Sequence, residues 1–402
     1  MKKILFFIFI LALFLRLFTV FTQEESKKVP YSDAKEYDSI AVNLVSGHGY
    51  SKDIDAPKIP TSRRVPVYPL FLASVYAIFG HSYMAVKIIQ AILGALLCIV
   101  VFLIANMVYS DKFTAVTASF ITAIYKPFVS GFNYYGGPAL LLSEYFFMFI
   151  LALTILTILF FIKNENKGLG ALSGIFIGLT ILTRPEFALY PILLVFYLFL
   201  KSQLSVKRFI KKYFIVYFFI ALTLTPWIIR NYAIYKKFIP LSTLGGYVFL
   251  HGNNSLARGG WEYPVYHDAI MKKTENMSEY EKNRLFLKKG IEELKAGSKR
   301  IPKLFIKKIL VHWAPFEKRF ELFNLYYAII LIFGIPGMLL FRKGAMKGIL
   351  LISFLTTTLT AVIIWGDPRY RYPYELFLII FAAFAMKEIF TITQRKVFNY
   401  GK

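Results

Sequence analysis

Long apolar stretches alternate with short polar segments along almost the whole chain. A transmembrane helix needs ~20 mostly apolar residues at about 1.5 Å of rise per residue. The pattern therefore predicts an all-α polytopic membrane protein with about ten transmembrane helices. These lie at roughly 4–22, 84–108, 113–128, 138–162, 168–183, 186–200, 213–229, 322–341, 347–365 and 373–390.

Two apolar runs need a separate interpretation. The run VPVYPLFLASVYAIFG at 65–80 contains Pro66 and Pro69 and is too short to cross comfortably, so we expect a juxtamembrane helix along the membrane surface. The first run, MKKILFFIFILALFLRLFTVF, is long, is interrupted by Arg16 and has no small-x-small cleavage site after it. We expect a retained span rather than a cleaved signal peptide.

The polar segments predict an orientation. If the N-terminus is cytoplasmic, nearly all the inside segments are net basic, including KNENK at 163–167 and KSQLSVKRFIKK at 201–212. This distribution favours both termini in the cytoplasm. The two longest loops, 23–83 and 230–321, then lie together on the extracytoplasmic side. No internal repeat is visible, and 1–402 is predicted to be a single membrane domain.

Composition narrows the class of protein further. The chain has 402 residues, of which 57% are hydrophobic, which favours the lipid bilayer as its solvent. A net charge of +25 could indicate nucleic acid binding, but the basic residues are scattered between apolar runs, so we expect no nucleic acid partner. The single cysteine, Cys98, lies within an apolar run and excludes both an internal disulfide and a cysteine metal site.

Charged and polar residues gather at the predicted outer ends of several spans. Charges beside hydrocarbon cost several kcal/mol unless they find partners or water. Each arginine alone could be a snorkelling anchor, but together the group favours a polar cavity whose arginines grip phosphate. Its members are Arg16, Arg63, Arg64, Glu144, Arg184, Glu186, Arg230, Asn231, Asp367, Arg369 and Arg371.

The segment YSDAKEYDSIA at 31–41 carries three acidic residues, Asp33, Glu36 and Asp38, within six positions. With Asp33 as N-cap and Glu36 at N3, the pattern predicts a helix that begins with a capping box. Capping alone would explain two of these acids. It would not explain why the helix is followed, in the same loop, by the basic segment SRR at 62–64.

The order of several short motifs adds a family resemblance. The chain resembles the C-type glycosyltransferase (GT-C) fold, most closely the bacterial branch related to protein O-mannosyltransferases and the lipid A aminoarabinose transferase. The resemblance extends to about residue 375, whereas 255–320 resembles no named family. The motifs that carry it are SDAKEYDSIAVNLVSGHGY, RRVPVYPLFLASVYAIFG, LSE, LTRPE, TPWIIRNY, STLGGYVFLHGNN and PRYRYP.

This resemblance implies an enzyme of the bacterial plasma membrane with an extracytoplasmic active site. It would transfer a sugar from a polyprenyl-phosphate carrier to a lipid, protein or glycan acceptor. Asp33 matches the catalytic acid of the family and would act as general base, with inversion at the sugar carbon. Since the chain lacks adjacent paired acids in this loop, Glu36 and Asp38 are alternatives for that role.

The same resemblance suggests binding residues, because cations should bracket a departing phosphate. The predicted donor-phosphate set is Arg63, Arg64, Arg184, Arg230, Arg369 and Arg371. The predicted sugar and acceptor set is Tyr37, Tyr68, Glu144, Glu186, Asn231 and Asn253.

Metal use and two other functions are left open. Some proteins with this fold bind a divalent cation, but Asp33, Glu36 and Asp38 are not spaced as a recognisable ligand set, so no obligatory metal is predicted. A polysaccharide ligase or polymerase would use the same lipid carriers. A lipid-linked sugar transporter or flippase is disfavoured because the charges cluster at one face and no paired halves are visible.

Overall fold

The structure, a computed structural model, describes residues 1–23, 30–53, 59–131, 136–317, 322–340 and 344–400, without the side chains of 345 and 395–400. Within these ranges most residues are helical, as predicted. The helices in chain order are α1 (Lys2–Thr22), α2 (Asp33–Val45), α3 (Val67–Phe79), α4 (Tyr83–Tyr109), α5 (Lys112–Ile124), α6 (Lys126–Ser130), α7 (Ser143–Asn164), α8 (Lys167–Ile181), α9 (Leu189–Lys201), α10 (Val206–Tyr235), α11 (Gly245–Asn253), α12 (His267–Thr274), α13 (Glu279–Ala296), α14 (Ile301–Trp313), α15 (Leu325–Leu340), α16 (Ala345–Ile363), α17 (Pro368–Arg371) and α18 (Glu375–Tyr400).

Within the ranges described above, six helical segments are long and apolar enough to cross a membrane. They lie in α1, α4, α7, α10 and α16 and in the stretch Pro368–Gln394, which includes most of α18. The prediction of an all-α polytopic membrane protein is confirmed. Four further predicted spans coincide with the shorter helices α5, α8, α9 and α15, so the total of about ten stays a prediction. The short apolar run before α4 is helical as well, and forms α3.

Helix α7 lies at the centre of the bundle. It packs against α4 and α8, and several of its side chains, such as Phe147, Met148 and Leu151, have no exposed surface. Helix α18 packs on α5 and α15. Because α7 carries apolar residues all around, its burial inside the bundle is the expected outcome.

Helix α8 approaches α10 very closely through glycines. Gly170, Gly174 and Gly178 recur every four residues and therefore share one face of α8. A Cβ added to Gly174 would lie 2.3 Å from the carbonyl oxygen of Val216 on α10. Small residues at this spacing let membrane helices pack backbone against backbone. The polar turn that carries Arg184 follows the end of α8 at Ile181.

Helices α11–α14 form a cap that is tied to the bundle. Leu250 of α11, Ile270 of α12 and Phe286 of α13 make a small apolar core. Helix α14 packs on α16 and α17. The Lys308 Nζ of α14 lies 2.8 Å from the carbonyl oxygen of Val362 near the end of α16. The segment without family resemblance is therefore joined to the membrane helices rather than separate from them.

One short hairpin follows α14. Strands β1 (Phe316–Glu317) and β2 (Leu322–Phe323) pair antiparallel, with Phe316 opposite Phe323.

Candidate active site

A cavity of about 370 Å³ opens at the meeting point of α2, the segment before α3 and the turns after α8 and α16. Its wall combines charged groups with an apolar side, as is usual for small-molecule sites. The polar wall consists of Asp33, Tyr37, Arg63, Arg64, Ser143, Thr183, Arg184, Glu186, Ser242, Thr360, Arg369 and Tyr370. The apolar side consists of Val65, Pro185, Leu241, Leu244, Val248 and Ile364, with Gly245 beside them.

Asp33 is held between two arginines from distant parts of the chain. Its Oδ1 lies 2.5 Å from Arg64 Nη2, and its Oδ2 lies 3.0 Å from Arg369 Nη1. Burial alone would raise the pKa of this carboxyl, but the two guanidinium groups outweigh it and lower the pKa to about 2. Asp33 is therefore a carboxylate at any physiological pH.

The predicted capping role of Asp33 is wrong. Ser32 is the N-cap of α2 and makes no side-chain capping bond, while Asp33 is the first helical residue. The Asp33 oxygens accept from guanidinium groups instead of backbone amides. Each oxygen is bound by one guanidinium group, and these charge-assisted hydrogen bonds take the place of the predicted cap.

Glu144 joins Arg369 to a third arginine, Arg184, at the back of the cavity. It lies in the first turn of α7 and has no exposed surface. Its Oε1 lies 2.7 Å from Arg184 Nη1 and also accepts from Arg369 Nε. Within the described part of the chain its Oε2 has no hydrogen-bond partner. One carboxylate oxygen thus ties the turn after α8 to α17.

Glu36 likewise pairs with two arginines, Arg63 and Arg64. Its Oε2 accepts from Arg64 Nε at 2.5 Å, and its Oε1 lies 2.7 Å from Arg63 Nε. Arg184 also pairs with Glu186, two residues further on. The four arginines that line the cavity are therefore balanced by four carboxylates, those of Asp33, Glu36, Glu144 and Glu186.

The ion pairs leave part of each guanidinium unused. Arg64 engages Nε and Nη2, and Arg369 engages Nε and Nη1. Among the described residues, no hydrogen bond involves Nη1 of Arg64 or Nη2 of Arg369. Since a guanidinium has five N–H donors in a planar fork, both arginines can bind an additional anion without losing Asp33.

The backbone that carries Arg63 and Arg64 is fixed from outside the cavity. Glu279 of α13 accepts from Thr61 Oγ1 at 2.7 Å and from the Ser62 backbone N at 2.9 Å. The Tyr50 hydroxyl donates to the carbonyl oxygen of Arg64 at 3.0 Å. A site residue is placed precisely when its own support is hydrogen-bonded in this way.

Arg230 and Asn231 belong to this support and do not line the cavity, although both were predicted to bind substrate. Arg230 Nη1 donates to Thr61 O at 2.8 Å and to Ser62 Oγ at 2.7 Å. Asn231 Oδ1 accepts from Ser62 Oγ at 2.7 Å, and Asn231 Nδ2 donates to Ile239 O at 3.0 Å. Their polar atoms hold the loop instead of facing the opening.

Tyr37 lies on the cavity wall, and Tyr68 lies behind it. The Tyr37 hydroxyl contacts Ser143 Oγ at 3.3 Å, and the Arg64 guanidinium lies 5.1 Å from the Tyr37 ring centre. Tyr68 packs edge-on against Tyr37, is fully buried and donates to Gln90 Oε1 at 3.2 Å. Tyr68 therefore supports the wall without reaching the cavity.

Asp38 faces away from the cavity. It follows Asp33 by five residues, about 140° further around an α-helix. Its oxygens accept from Tyr76 OH at 2.7 Å and Tyr83 OH at 3.0 Å, and contact His81 Nε2 at 2.8 Å. The carboxylate therefore joins α2 to the residues around α3, away from the arginines.

Asn253 and Arg371 are also placed elsewhere. Asn253 Oδ1 accepts from Lys308 Nζ at 2.7 Å, and its Nδ2 donates to Ile363 O at 2.9 Å. Arg371 lies 3.1 Å from Glu375 Oε1 and stacks over Tyr327 at 3.8 Å. Neither residue lines the cavity, because both are committed to contacts between helices.

Sequence reasoning missed several residues that the structure brings to the site. Ser143, Ser242 and Tyr370 line the cavity, and Glu279 and Tyr50 position the arginine segment. Ser143 and Tyr370 stand inside the quoted motifs LSE and PRYRYP, next to residues that were selected. Glu279 had no such signal, since its partners are far away in sequence.

Within the described ranges, no group of three or more histidine, cysteine, aspartate or glutamate side chains is arranged so that it could hold a metal ion. That no metal is obligatory stays a prediction.

Comparison with known proteins agrees with the sequence motifs. Residues 60–229 match the family described as dolichyl-phosphate-mannose-protein mannosyltransferase. No curated protein sequence gives a significant match. The matched range contains Arg63, Arg64 and Arg184 but neither Asp33 nor Arg369.

Solved structures resemble the whole chain. The apo oligosaccharyltransferase of Archaeoglobus fulgidus has a TM-score of 0.60 and 16% identity, over 99% of this chain and 52% of that one. AglB from the same organism, in complex with an inhibitory peptide and a dolichol-phosphate, has a TM-score of 0.60 and 17% identity, over 99% and 51%. ArnT from Cupriavidus metallidurans, bound to undecaprenyl phosphate, scores only 0.45 at 11% identity, over 94% and 77%.

The chain thus spans about half the length of the archaeal structures that it matches. At these identities the likeness establishes the fold. The predicted resemblance to C-type glycosyltransferases related to mannosyltransferases is confirmed by the matched family range and by this fold.

Proposed function

We propose that this integral membrane protein is a glycosyltransferase that takes a sugar from a polyprenyl-phosphate carrier and gives it to an extracytoplasmic acceptor. The mannosyltransferase family match and the oligosaccharyltransferase fold support this class of reaction. One observation carries the proposal. A carboxylate, Asp33, and two arginines with unused donors, Arg64 and Arg369, meet at one cavity.

In this proposal the arginines bind the phosphate of the donor. Nη1 of Arg64 and Nη2 of Arg369 supply the first hydrogen bonds, and Arg184 adds charge from the opposite turn. Guanidinium groups match phosphate oxygens in geometry and stay charged. The apolar side, with Leu241, Leu244 and Val248, accompanies the hydrocarbon part of the carrier.

Asp33 acts as the general base toward the acceptor. The acceptor hydroxyl gives its proton to the carboxylate while its oxygen attacks the anomeric carbon of the sugar. The bond from that carbon to the phosphate oxygen breaks, and the polyprenyl phosphate leaves with the electron pair. The arginines stabilise the negative charge that develops on the leaving phosphate.

The resting ion pairs explain how Asp33 becomes a better base. A carboxylate with a pKa of about 2 is a weak base toward a hydroxyl. A donor phosphate beside Arg64 and Arg369 adds negative charge and shares their hydrogen bonds. Both changes raise the pKa of Asp33. The base is therefore strengthened only when the donor is present.

The proposal is tested by comparing lipid-linked and surface glycans from cells that lack the protein, carry it, or carry Asp33→Asn. We expect the wild-type protein alone to restore the glycan and to consume the lipid-linked donor. Asp268→Asn, an exposed acid on α12, is the matched control and should behave as wild type. Normal glycans with Asp33→Asn, at equal membrane levels of protein, would overturn the proposal.

A further inference from the structure

A second, smaller cavity adjoins the candidate active site. It has a volume of about 200 Å³ and lies between the loop around residue 52 and helix α13. Arg63 lines both this cavity and the larger one. Its lining is Lys52, Arg63, Thr243, Tyr247, Met271, Glu279, Lys282 and Phe286.

The lining combines an apolar floor with a basic rim. Phe286, Met271 and Tyr247 supply the floor, and the Arg63 guanidinium lies 5.6 Å from the Tyr247 ring centre. Lys52 and Lys282 add two further positive charges. A flat aromatic face beside basic groups suits a ligand that has both an apolar face and an anionic substituent.

Glu279, the acidic residue in the lining, already accepts hydrogen bonds from other parts of the protein. Both oxygens of Glu279 accept hydrogen bonds, from Thr61 Oγ1 on one side and from the Ser62 amide, Tyr235 OH and Thr243 Oγ1 on the other. Its partners are neutral donors that belong to the loop, to α10 and to the segment before α11. The carboxylate therefore stabilises the wall. Arg63 Nε lies 2.7 Å from Glu36 Oε1 and Lys282 Nζ donates to Glu275 O, so Lys52 and the remaining N–H donors of Arg63 and Lys282 are left to meet a ligand.

The volume limits what can bind. Sites for complete ligands usually measure about 300–1,000 Å³, so this cavity accommodates one unit of a larger molecule. The shared Arg63 places that unit directly beside the cavity that holds Asp33. A molecule that reaches from one cavity into the other would present a hydroxyl to Asp33.

We propose that the smaller cavity is the acceptor subsite and that it binds a phosphorylated sugar unit of the acceptor. This inference rests on the proposed transferase function and names the acceptor class for it. The phosphate pairs with Lys52, Arg63 and Lys282, and the ring packs on Tyr247. Helix α13, which lies within the segment without family resemblance, then selects the acceptor.

Binding of glucose 6-phosphate tests the proposal without needing the enzymatic reaction. The full chain is placed in phosphatidylcholine nanodiscs and titrated calorimetrically with glucose 6-phosphate, glucose and inorganic phosphate. We expect glucose 6-phosphate to bind at least about tenfold more tightly than glucose, because only the former can form charge-assisted hydrogen bonds. Equal binding of the two sugars would overturn the proposal.

Charge-reversal variants locate the binding. Lys52→Glu and Lys282→Glu should each weaken glucose 6-phosphate binding about tenfold or more. Lys295→Glu, on an exposed position of the same helix, is the matched control and should bind as wild type. If Arg369→Ala abolishes binding while Lys52→Glu and Lys282→Glu bind as wild type, the sugar phosphate occupies the larger cavity and the proposal is wrong.

Two further experiments complete the test. One distinguishes a lipid phosphate from a glycan phosphate, and the other distinguishes the acceptor subsite from the proposed catalysis by Asp33. In nanodiscs with phosphatidylglycerol, weaker glucose 6-phosphate binding that depends on Lys282 assigns the phosphate to a lipid-borne acceptor. Unchanged binding assigns it to a glycan phosphate. Asp33→Asn should keep wild-type binding, so full transferase activity in that variant would contradict the proposed catalysis and leave the subsite intact.

Discussion

Arg369 Nη1 lies 3.0 Å from Asp33 Oδ2, although the two residues come from opposite ends of the chain. This contact closes the cavity between α2 and α17. Because a third residue, Glu144, holds the same guanidinium from behind, the position of Arg369 is determined on both sides.

The first prediction concerns Asp33 and pH. Asp33→Asn should lower transfer about 10²–10⁴-fold, the usual contribution of a general base. Since the pKa of Asp33 is about 2 in the empty site, the wild-type kcat/KM should show no acid limb from this group above about pH 4. The kcat profile should show its acid limb at higher pH, because bound donor raises the pKa of Asp33. Coincident acid limbs in the two profiles would contradict the coupling.

The lowered pKa of Asp33 also predicts how the stability of the folded protein depends on pH. The pKa of this carboxyl is lowered in the folded protein from the ordinary value of 3.8, so the stabilisation is complete above about pH 4 and is lost as the pH falls toward 2. Thermal unfolding of Asp33→Asn should lack this part of the acid sensitivity. An identical fall of the unfolding temperature in both proteins would argue against the ion pairs.

The second prediction separates Arg369 from Arg371. Arg369→Lys should raise the donor KM, since a lysine keeps the charge but loses the planar fork that joins Asp33 to Glu144. Arg371→Met removes the cation opposite buried Glu375 and should cost ~3–5 kcal/mol of folding free energy. Donor titrations and thermal unfolding of both variants provide the measurement. A larger KM effect for Arg371 than for Arg369 would reverse the assignment.

The third prediction concerns the contact of α8 with α10. Gly174→Leu should separate the two helices, because even a Cβ there would lie 2.3 Å from Val216 O. The turn with Arg184 follows α8 directly, so we expect loss of activity together with a lower unfolding temperature. Leu172→Ile, an exposed position on the same helix, is the control. Wild-type stability of Gly174→Leu would show that the helices are not in close contact.

The fourth prediction concerns Lys308. Burial lowers the pKa of this amine to about 7, and Arg300 contributes to the shift. Because the unfolded chain binds the proton more tightly, the folded protein should become more stable as the pH rises from about 7 toward about 10. Lys308→Met should flatten this dependence of the unfolding temperature. An unchanged slope would mean that the amine is not buried in solution.

The fifth prediction concerns orientation. The single cysteine, Cys98, is fully buried, so an introduced cysteine can be labelled selectively. An impermeant maleimide should label Lys295→Cys in intact cells and Lys201→Cys only after lysis. Both positions are exposed. The reverse result would place the cavity on the cytoplasmic side.

Much of the fold could be predicted because apolar runs of membrane length leave few alternatives to helices. The position of Asp33 in the cavity was also predictable, although only through a family motif. Its capping role was predicted incorrectly, because the sequence around Asp33 does not show that Arg369 lies beside it.

The division between lining and supporting residues could not be predicted. Arg230 and Arg369 both stand at the end of a predicted span and look alike in sequence. Arg230 donates to the loop at Thr61 and Ser62, whereas Arg369 faces the cavity. Which of two similar arginines faces a ligand depends on side-chain directions that only tertiary packing determines.

The balance of four arginines by four carboxylates has a kinetic consequence. A site whose own charges cancel exerts little attraction beyond its rim, despite the large positive charge of the chain. Arrival of the lipid carrier should therefore depend on diffusion within the bilayer and hardly on ionic strength. Selectivity then arises at contact, when phosphate oxygens bind the N–H donors of Arg64 and Arg369 that the carboxylates leave unused.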